Sequence, residues 1–423
     1  MHYLIIGNSA AGIGAAEAIR KIDTESQLTI LSEEAYHAYS RPLIAEYLSN
    51  SIDIDRMWYR QQDFYQKNNI KLLLNTRVER IDPDSKKVFT ASGAELSFDK
   101  LLIATGGTPI IPPIEGKETN GVYTFVRWDE VKRLKENQPE IKKAVVIGGG
   151  LIGLKATEHM SKSGVDVTIV ELAETLLGAV LDKNASNILK HHFENFGVTV
   201  FTENTVSKIH SNDGRASTVT LQDGTEVACD AVIIAIGVKP DMEILNNTSI
   251  TRNKGIIVNE KLQTNYPDIY AAGDVAEAFD LLIEENRVLP IWPTAYRQGY
   301  IAGLNMAGHE RIYCGGISMN SLEFFDLPII SAGFTTAEDE SFNEEIILNE
   351  KNKVYKKIII KDNKLAGFIY VNKIDRAGIL TGLIQDKTDI TSFKDEILKD
   401  SFGLIDLPED VRERKFKAVS QGV

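Results

Sequence analysis

Tyr3-Leu4-Ile5-Ile6-Gly7-Asn8-Ser9-Ala10-Ala11-Gly12 and Ala144-Val145-Val146-Ile147-Gly148-Gly149-Gly150-Leu151-Ile152-Gly153 are two versions of one pattern. In each, a four-residue apolar run suits a buried strand, a glycine-rich turn follows, and an apolar helical pattern begins. Such a turn lets the backbone approach a pyrophosphate, and the helix N-terminus behind it supplies N–H donors and partial positive charge. Two fingerprints therefore predict two bound dinucleotides. The phosphate-cradling candidates are Gly7, Ser9, Ala10, Ala11 and Gly12 in the first, and Gly148, Gly150, Leu151, Ile152 and Gly153 in the second. Ser9 stands where a second glycine is usual. Its small hydroxyl takes up space but can donate to a phosphate oxygen.

A carboxylate after the second strand of such a unit normally accepts from the ribose hydroxyls. In the first half, Leu28-Thr29-Ile30-Leu31 is followed by Ser32, Glu33 and Glu34. Glu33 is the candidate, with Glu34 as the alternative. In the second half, Val167-Thr168-Ile169-Val170 ends at Glu171. A carboxylate there repels a 2′-phosphate, so the second site is expected to favour NADH over NADPH. The plainer reading of each acid is a solvated loop residue.

A chain of 423 residues exceeds one typical core, so two or three domains are expected. Its 43% hydrophobic and 25% charged residues fit an ordinary globular protein. No apolar run approaches the ~18 residues that suggest a membrane span. The net charge of −13 argues against nucleic acid as a partner. Two cysteines far apart, Cys229 and Cys314, suit neither a disulfide framework nor a metal cluster. The first strand begins at the N-terminus with no signal segment, and a cytoplasmic enzyme is expected.

Four further stretches occur in order. Leu101-Leu102-Ile103-Ala104-Thr105-Gly106-Gly107-Thr108-Pro109 is a strand ending in a tight turn, and Ala235-Ile236-Gly237-Val238-Lys239-Pro240-Asp241 repeats the design. Ile269-Tyr270-Ala271-Ala272-Gly273-Asp274-Val275 is a strand ending in an acid. Trp292-Pro293-Thr294-Ala295 leads into Gln298-Gly299 and Ala302-Gly303. Together these resemble the glutathione-reductase-like flavoproteins, over residues 1 to 335. The resemblance implies an α/β fold of two Rossmann-like domains, FAD at the first and NAD(H) at the inserted second, plus a small α+β C-terminal interface domain. It assigns Ala104, Thr105, Gly106, Gly237, Gly273, Pro293 and Thr294 to the cofactor sites. The acid matching Asp274 holds the FAD ribityl chain in that family; a helix N-cap is the compatible plain reading. The expected division is 1–112 and 239–312 for FAD, 113–238 for NAD(H), 313–390 for the interface domain and 391–423 for a tail.

Tyr39-Ser40-Arg41-Pro42-Leu43 resembles the Tyr-x-Arg-Pro segment of NADH:rubredoxin oxidoreductases and of ferredoxin reductases of the putidaredoxin-reductase type. There the arginine sits against FAD, which brings in Arg41 and Pro42. Disulfide reductases of the family carry a Cys-x4-Cys pair after the first ribose acid, and oxidases, peroxidases and coenzyme A disulfide reductases carry one cysteine nearby. Residues 33 to 60 hold none. Cys229 and Cys314 both read as structural, so thiol redox chemistry is not expected. The family often pairs a glutamate of the second fingerprint helix with a lysine near the flavin. Here those positions are Lys155 and Glu46, which implies a reversed ion pair as the catalytic charge arrangement.

Beyond Gly303, residues 329–334, 354–360 and 365–370 read as antiparallel strands, Asp362-Asn363-Lys364 as a hairpin turn and Ile374 to Ile384 as a helix. The tail reads either as packed on its own subunit or as a docking segment. Lys351, Lys353, Lys356, Lys357 and Lys361 form one candidate basic patch for an acidic carrier, with a solvated strand face as the plainer reading; Arg412 to Lys417 form another. The functional expectation is an NADH-dependent FAD reductase passing single electrons to an iron–sulfur carrier, with no metal site of its own. The alternative is the flavin subunit of a larger iron–sulfur complex reducing NAD⁺. An NADH oxidase reading is disfavoured by the missing cysteine, and a redox-sensing scaffold would turn over slowly. The interface domain implies a homodimer surface.

Overall fold

A computed structural model of the chain describes residues 1–420, with side chains through Lys415. It resolves into two units. The first comprises Met1–Ile111, Thr124–Glu136 and Gly237–Gly316; the second comprises Pro112–Tyr123, Asn137–Ile236 and Ile317 onwards. Thr124–Glu136, expected in the NAD(H) domain, falls in the first unit, and the C-terminal domain and tail share the second unit with the inserted domain.

In the first unit the apolar runs become central strands of a parallel sheet. β1 (His2–Ile6), β2 (Gln27–Leu31), β3 (Lys71–Leu73) and β4 (Lys100–Ile103) lie in the order β4-β1-β2-β3, with the strand Ile269–Ala271 beyond β4. Leu4, Ile5, Leu101 and Leu102 are fully buried, as expected for strands covered on both faces. α1 (Ala10–Ile22) follows the first fingerprint and packs on the helix Trp292–Met306. A Cβ at Gly299 would lie 1.9 Å from the Ala11 carbonyl oxygen, so this glycine permits backbone contact between the two helices. That explains the Gln298-Gly299 motif. α2 (Ile44–Leu48) and α3 (Trp128–Asn137) complete the elements that matter here.

The second unit repeats the design. β5 (Val122–Thr124), β6 (Lys143–Ile147), β7 (Asp166–Val170), β8 (Thr199–Phe201) and β9 (Ala231–Ile234) lie in the order β8-β7-β6-β9-β5. β6 pairs in parallel with β7 and β9. α4 (Leu151–Lys162) follows the second fingerprint, and α5 (Lys183–Asn195) is capped by the Asp182 side chain on the Ala185 amide.

The rest of this unit is an antiparallel sheet of β10 (Met319–Phe324), β11 (Leu327–Gly333), β12 (Phe342–Asn349), β13 (Val354–Lys361) and β14 (Lys364–Val371), ordered β10-β11-β14-β13-β12. Leu154, Leu189 and Phe193 share one core with Phe324, Tyr355 and Val371 of this sheet. The hairpin turn is as expected, with Asp362 and Asn363 both at positive φ (48° and 58°), the signature of a two-residue type I′ turn. The helix after β14, α6 (Ala377–Gln385), starts three residues later than expected, because Arg376 before it adopts a left-handed conformation. The tail packs on its own unit through buried Phe393, Ile397, Phe402 and Leu407, and ends in α7 (Glu409–Ser420). Of the second basic candidate, Arg412 to Lys417, the side chains of Phe416 and Lys417 lie outside the described residues.

Candidate functional site: two dinucleotide cradles

The first cradle forms where β1 ends. Gly7 has φ 118°, and a Cβ on it would lie 2.0 Å from the Ala104 carbonyl oxygen. Only glycine fits there. The Gly7 amide bonds the Leu31 carbonyl at 2.9 Å. Ser9 caps α1 without a side-chain bond, and the first intrahelical donor is Ile13, to the Ser9 carbonyl. The amides of Ala10, Ala11 and Gly12 are thus left for a ligand, the usual state of a helix N-terminus. Ala104-Thr105-Gly106 abuts this turn, anchored by the Thr105 hydroxyl donating to the Asp241 carbonyl at 2.7 Å. A Cβ at Gly273 would stand 3.1 Å from the Ala11 Cβ, so the Gly273-Asp274 corner lies beside the same helix end. Pro293 and Thr294 form the first turn of the helix Trp292–Met306. Gly237 starts a segment of this unit, its carbonyl accepting from the Ile110 amide.

Charge gathers around this cradle. Glu33 is held by Arg77 (3.2 Å) and Arg127 (3.0 Å), while Glu34 pairs with Arg41 at 2.8 Å. Arg41 also donates to the Val126 carbonyl at 3.2 Å, and Pro42 follows it in a short 3₁₀ turn. Burial raises the Asp274 carboxyl to about 6, with the Arg41 charge pulling the other way. No hydrogen bond engages Asp274 among the described residues, leaving its carboxylate available to ligand hydroxyls. The crowded Gly7 turn, the open amides of α1 and this carboxylate fit the pyrophosphate and sugar chain of FAD.

Sequence reading missed Arg77 and Arg127, which lie far along the chain from Glu33 and sit in no motif. It also missed the aromatic group around buried Trp128, which touches Tyr36, Tyr39, Tyr47 and Trp58 with centroids 4.8–5.6 Å away. Tyr39 of the Tyr-x-Arg-Pro segment accepts from the Trp128 amide at 3.1 Å, which ties that segment to α3.

The second cradle has the same build. Gly148 has φ 110°, and a Cβ there would lie 2.5 Å from the Ala235 carbonyl oxygen. Gly150 faces open space, with nothing within 4 Å of a Cβ. The first intrahelical donor is Leu154, to the Gly150 carbonyl, so Leu151, Ile152 and Gly153 present their amides at the helix start. Glu171 is fixed by its own turn: one carboxylate oxygen accepts from the Gly149 amide and the other from Ala173 at 2.7 Å. A positioned carboxylate beside a phosphate cradle fits an adenosine ribose.

The two catalytic candidates belong to different units. Lys155 donates to Glu158 at 3.0 Å and to the Glu323 carbonyl at 2.7 Å. Burial alone would raise the Glu158 carboxyl, but Lys162, the Phe325 amide and Lys155 bring it below its ordinary range. The charge exchange read as a reversed pair with Glu46 is therefore met on the lysine side by Glu158, one helical turn away. Glu46 has a buried Oε2 with no hydrogen-bond partner among the described residues.

Other expectations change too. Lys356 and Lys357 form neither a basic patch nor a solvated face, because β13 is a buried strand. Lys357 is 2% exposed and pairs with Asp182 (3.0 Å) and Glu344 (2.9 Å); Lys356 pairs with Asp400 at 2.8 Å. Cys229 is a core thiol, pushed up to about 12 by burial, whereas Cys314 is exposed. Among the described residues no helix is long and apolar enough to cross a membrane, and no cluster of His, Cys, Asp and Glu is placed to hold a metal.

A family model described as pyridine nucleotide-disulphide oxidoreductase matches residues 1–299, and one described as rubredoxin NAD⁺ reductase C-terminal domain matches residues 319–388. The chain is 32% identical over 397 residues to the NADH-dependent phenylglyoxylate dehydrogenase subunit epsilon of Aromatoleum evansii, covering 93% of each. It is 32% identical over 391 residues to the NAD(P)H nitrite reductase of Bacillus subtilis, covering 92% of this chain but 48% of that protein, about half its length. The solved NADH:rubredoxin oxidoreductase of Clostridium acetobutylicum aligns with a TM-score of 0.76 at 26% identity, covering 93% of this chain and 97% of that one.

Proposed function

The chain belongs to the pyridine nucleotide-disulphide oxidoreductase family, and from that premise we propose that it passes electrons from NADH through FAD, one at a time, to an iron–sulfur protein. It is an NADH-dependent oxidoreductase with FAD and NAD(H) as cofactors. FAD, when bound, accepts a hydride and can release its electrons singly. The residues supply binding and position. Gly7, Ser9–Gly12 and Asp274 hold the flavin nucleotide, with Arg41, Pro42 and Ala104–Gly106 around it. Gly148–Gly153 and Glu171 hold the nicotinamide nucleotide. We assign Glu46 to the flavin cofactor through its unpartnered oxygen, and Lys155 to holding α4 against β10.

One observation carries the reading: two dinucleotide cradles share a chain with no cysteine from residue 33 to residue 60. With no cysteine in that stretch to relay them, electrons in this reading leave the flavin directly for an external acceptor. The test is alkylation of the purified protein with iodoacetamide before assay. NADH-driven reduction of a rubredoxin or ferredoxin should continue at an unchanged rate. Loss of that activity would transfer the role to Cys314, the exposed thiol that the reagent can reach.

A second reading has its own support. The relative matched along 93% of both chains is named as a subunit of a dehydrogenase. In that reading this chain is the flavin subunit of a larger iron–sulfur complex, working towards NAD⁺ reduction.

A further inference from the structure

Edge strands of native sheets are normally shortened, bulged, proline-containing or lysine-studded, because an open edge recruits other strands. β12 is the outer strand of the antiparallel sheet, and its only guards are two charged residues, Glu344 and Glu345, each paired with a lysine. It runs for eight residues in unbroken register with β13, and Phe342 to Asn349 include no lysine and no proline. Ile346, Ile347 and Leu348 are 45%, 44% and 44% exposed. Alternation places Ile347 on one face of the sheet and its two neighbours on the other. Among the described residues, no backbone group from Asn343 to Leu348 bonds to anything except β13. The strand's two acids are already committed, Glu344 to Lys357 and Glu345 to Lys394 at 2.6 Å.

A cavity of about 300 Å³ opens beside this edge. Ile347 and Asn349 of β12 line it with Lys356, Lys373 and Lys399, and Asp400 is its one acid. Lys356 and Lys373 both pair with Asp400, so two ammonium groups share one carboxylate. Lys399 pairs with Glu396 at 2.6 Å, so three lysines stand against two carboxylates and leave a surplus of one positive charge, on a chain whose total is −13.

We propose that β12 takes an extended segment of a partner protein as a sixth strand, with an acidic side chain of that segment entering the lysine-lined cavity. Main-chain bonds along the edge supply affinity, and the cavity supplies selection for the acid. The inference rests on the reading that electrons leave this chain for a separate protein. A second copy of the chain is the less suitable occupant, since the acids of its own β12 are engaged.

The test uses the full-length holoenzyme and two labelled eight-residue peptides of alternating valine and threonine, one with a central aspartate and one with lysine there. The aspartate peptide should bind, by fluorescence anisotropy, at least about ten-fold more tightly, the effect of one charge-assisted contact. It should slow amide hydrogen exchange at residues 343–348. The double variant Ile346→Lys with Leu348→Lys should lose the binding while NADH still bleaches its flavin at the wild-type rate. Equal binding of the two peptides, protection elsewhere, or dissociation of a dimer by the double variant would overturn the proposal. Peptide binding by a holoenzyme that reduces no carrier would refute the electron-delivery reading and support this one.

Discussion

Replacing Glu171 by alanine should weaken NADH and admit NADPH. The carboxylate is placed by two backbone amides, Gly149 and Ala173, so in the proposed role it would meet a ribose without having to be ordered on binding. A hydrogen bond to a charged group contributes about 1.5–3 kcal/mol when its partner is present. Losing it should raise the NADH dissociation constant about 10- to 150-fold. For NADPH the same change removes a repulsion between carboxylate and 2′-phosphate, so its affinity should rise. The assay is anaerobic stopped-flow bleaching of the flavin across a range of each nucleotide. The limiting bleaching rate should change much less than the half-saturating concentration, because the proposed place of Glu171 is at the adenosine end and not at the reacting ring. An NADH affinity within about two-fold of wild type would refute the placement of ribose at Glu171.

Asp274, at about 6 when buried, keeps a proton between pH 4 and 6 that the unfolded chain has released. The flavin-free protein should therefore lose stability as pH rises through that window; thermal melts from pH 4 to 7 should slope downward in wild type and lie flatter in Asp274→Asn, and equal slopes would contradict this. Gly299→Val should cost about 1–3 kcal/mol or more by forcing α1 from the helix Trp292–Met306, read as a lower melting temperature and reduced flavin content. Asp182→Ala leaves Lys357 to Glu344 alone, frees the Tyr355 hydroxyl and uncaps α5, and should cost about 2–4 kcal/mol in urea unfolding. Glu46→Gln should shift the flavin midpoint potential upward by removing a negative charge; an unchanged potential would remove Glu46 from the site.

Both cradles were legible because each requirement is local: a strand, a turn needing glycine and a helix start fall within ten residues. Glu171 was legible for the same reason, since its spacing from Gly148 reflects one strand–helix–strand unit. The partners of Glu33 were not, because Arg77 and Arg127 reach it from distant stretches that carry no pattern of their own. Lys356 and Lys357 misled for a related reason. Two consecutive lysines read as solvent-facing until their acids are found, and Asp182 lies 175 residues from Lys357. Lys155 is the sharper lesson: its position suggested a remote partner, yet Glu158 is its neighbour at the spacing where helical side chains meet. β12 escaped notice because an edge strand needs little apolar periodicity, and Glu344-Glu345 interrupts what it has.

Electron delivery from NADH to an iron–sulfur protein can be observed in one experiment. Anaerobic reduction of the purified holoenzyme with NADH, followed by addition of oxidised rubredoxin or ferredoxin, tests it most directly. Fast bleaching of the flavin absorbance is expected, then rapid recovery matched by reduction of the carrier. A flavin that NADH bleaches but that neither carrier reoxidises would contradict it.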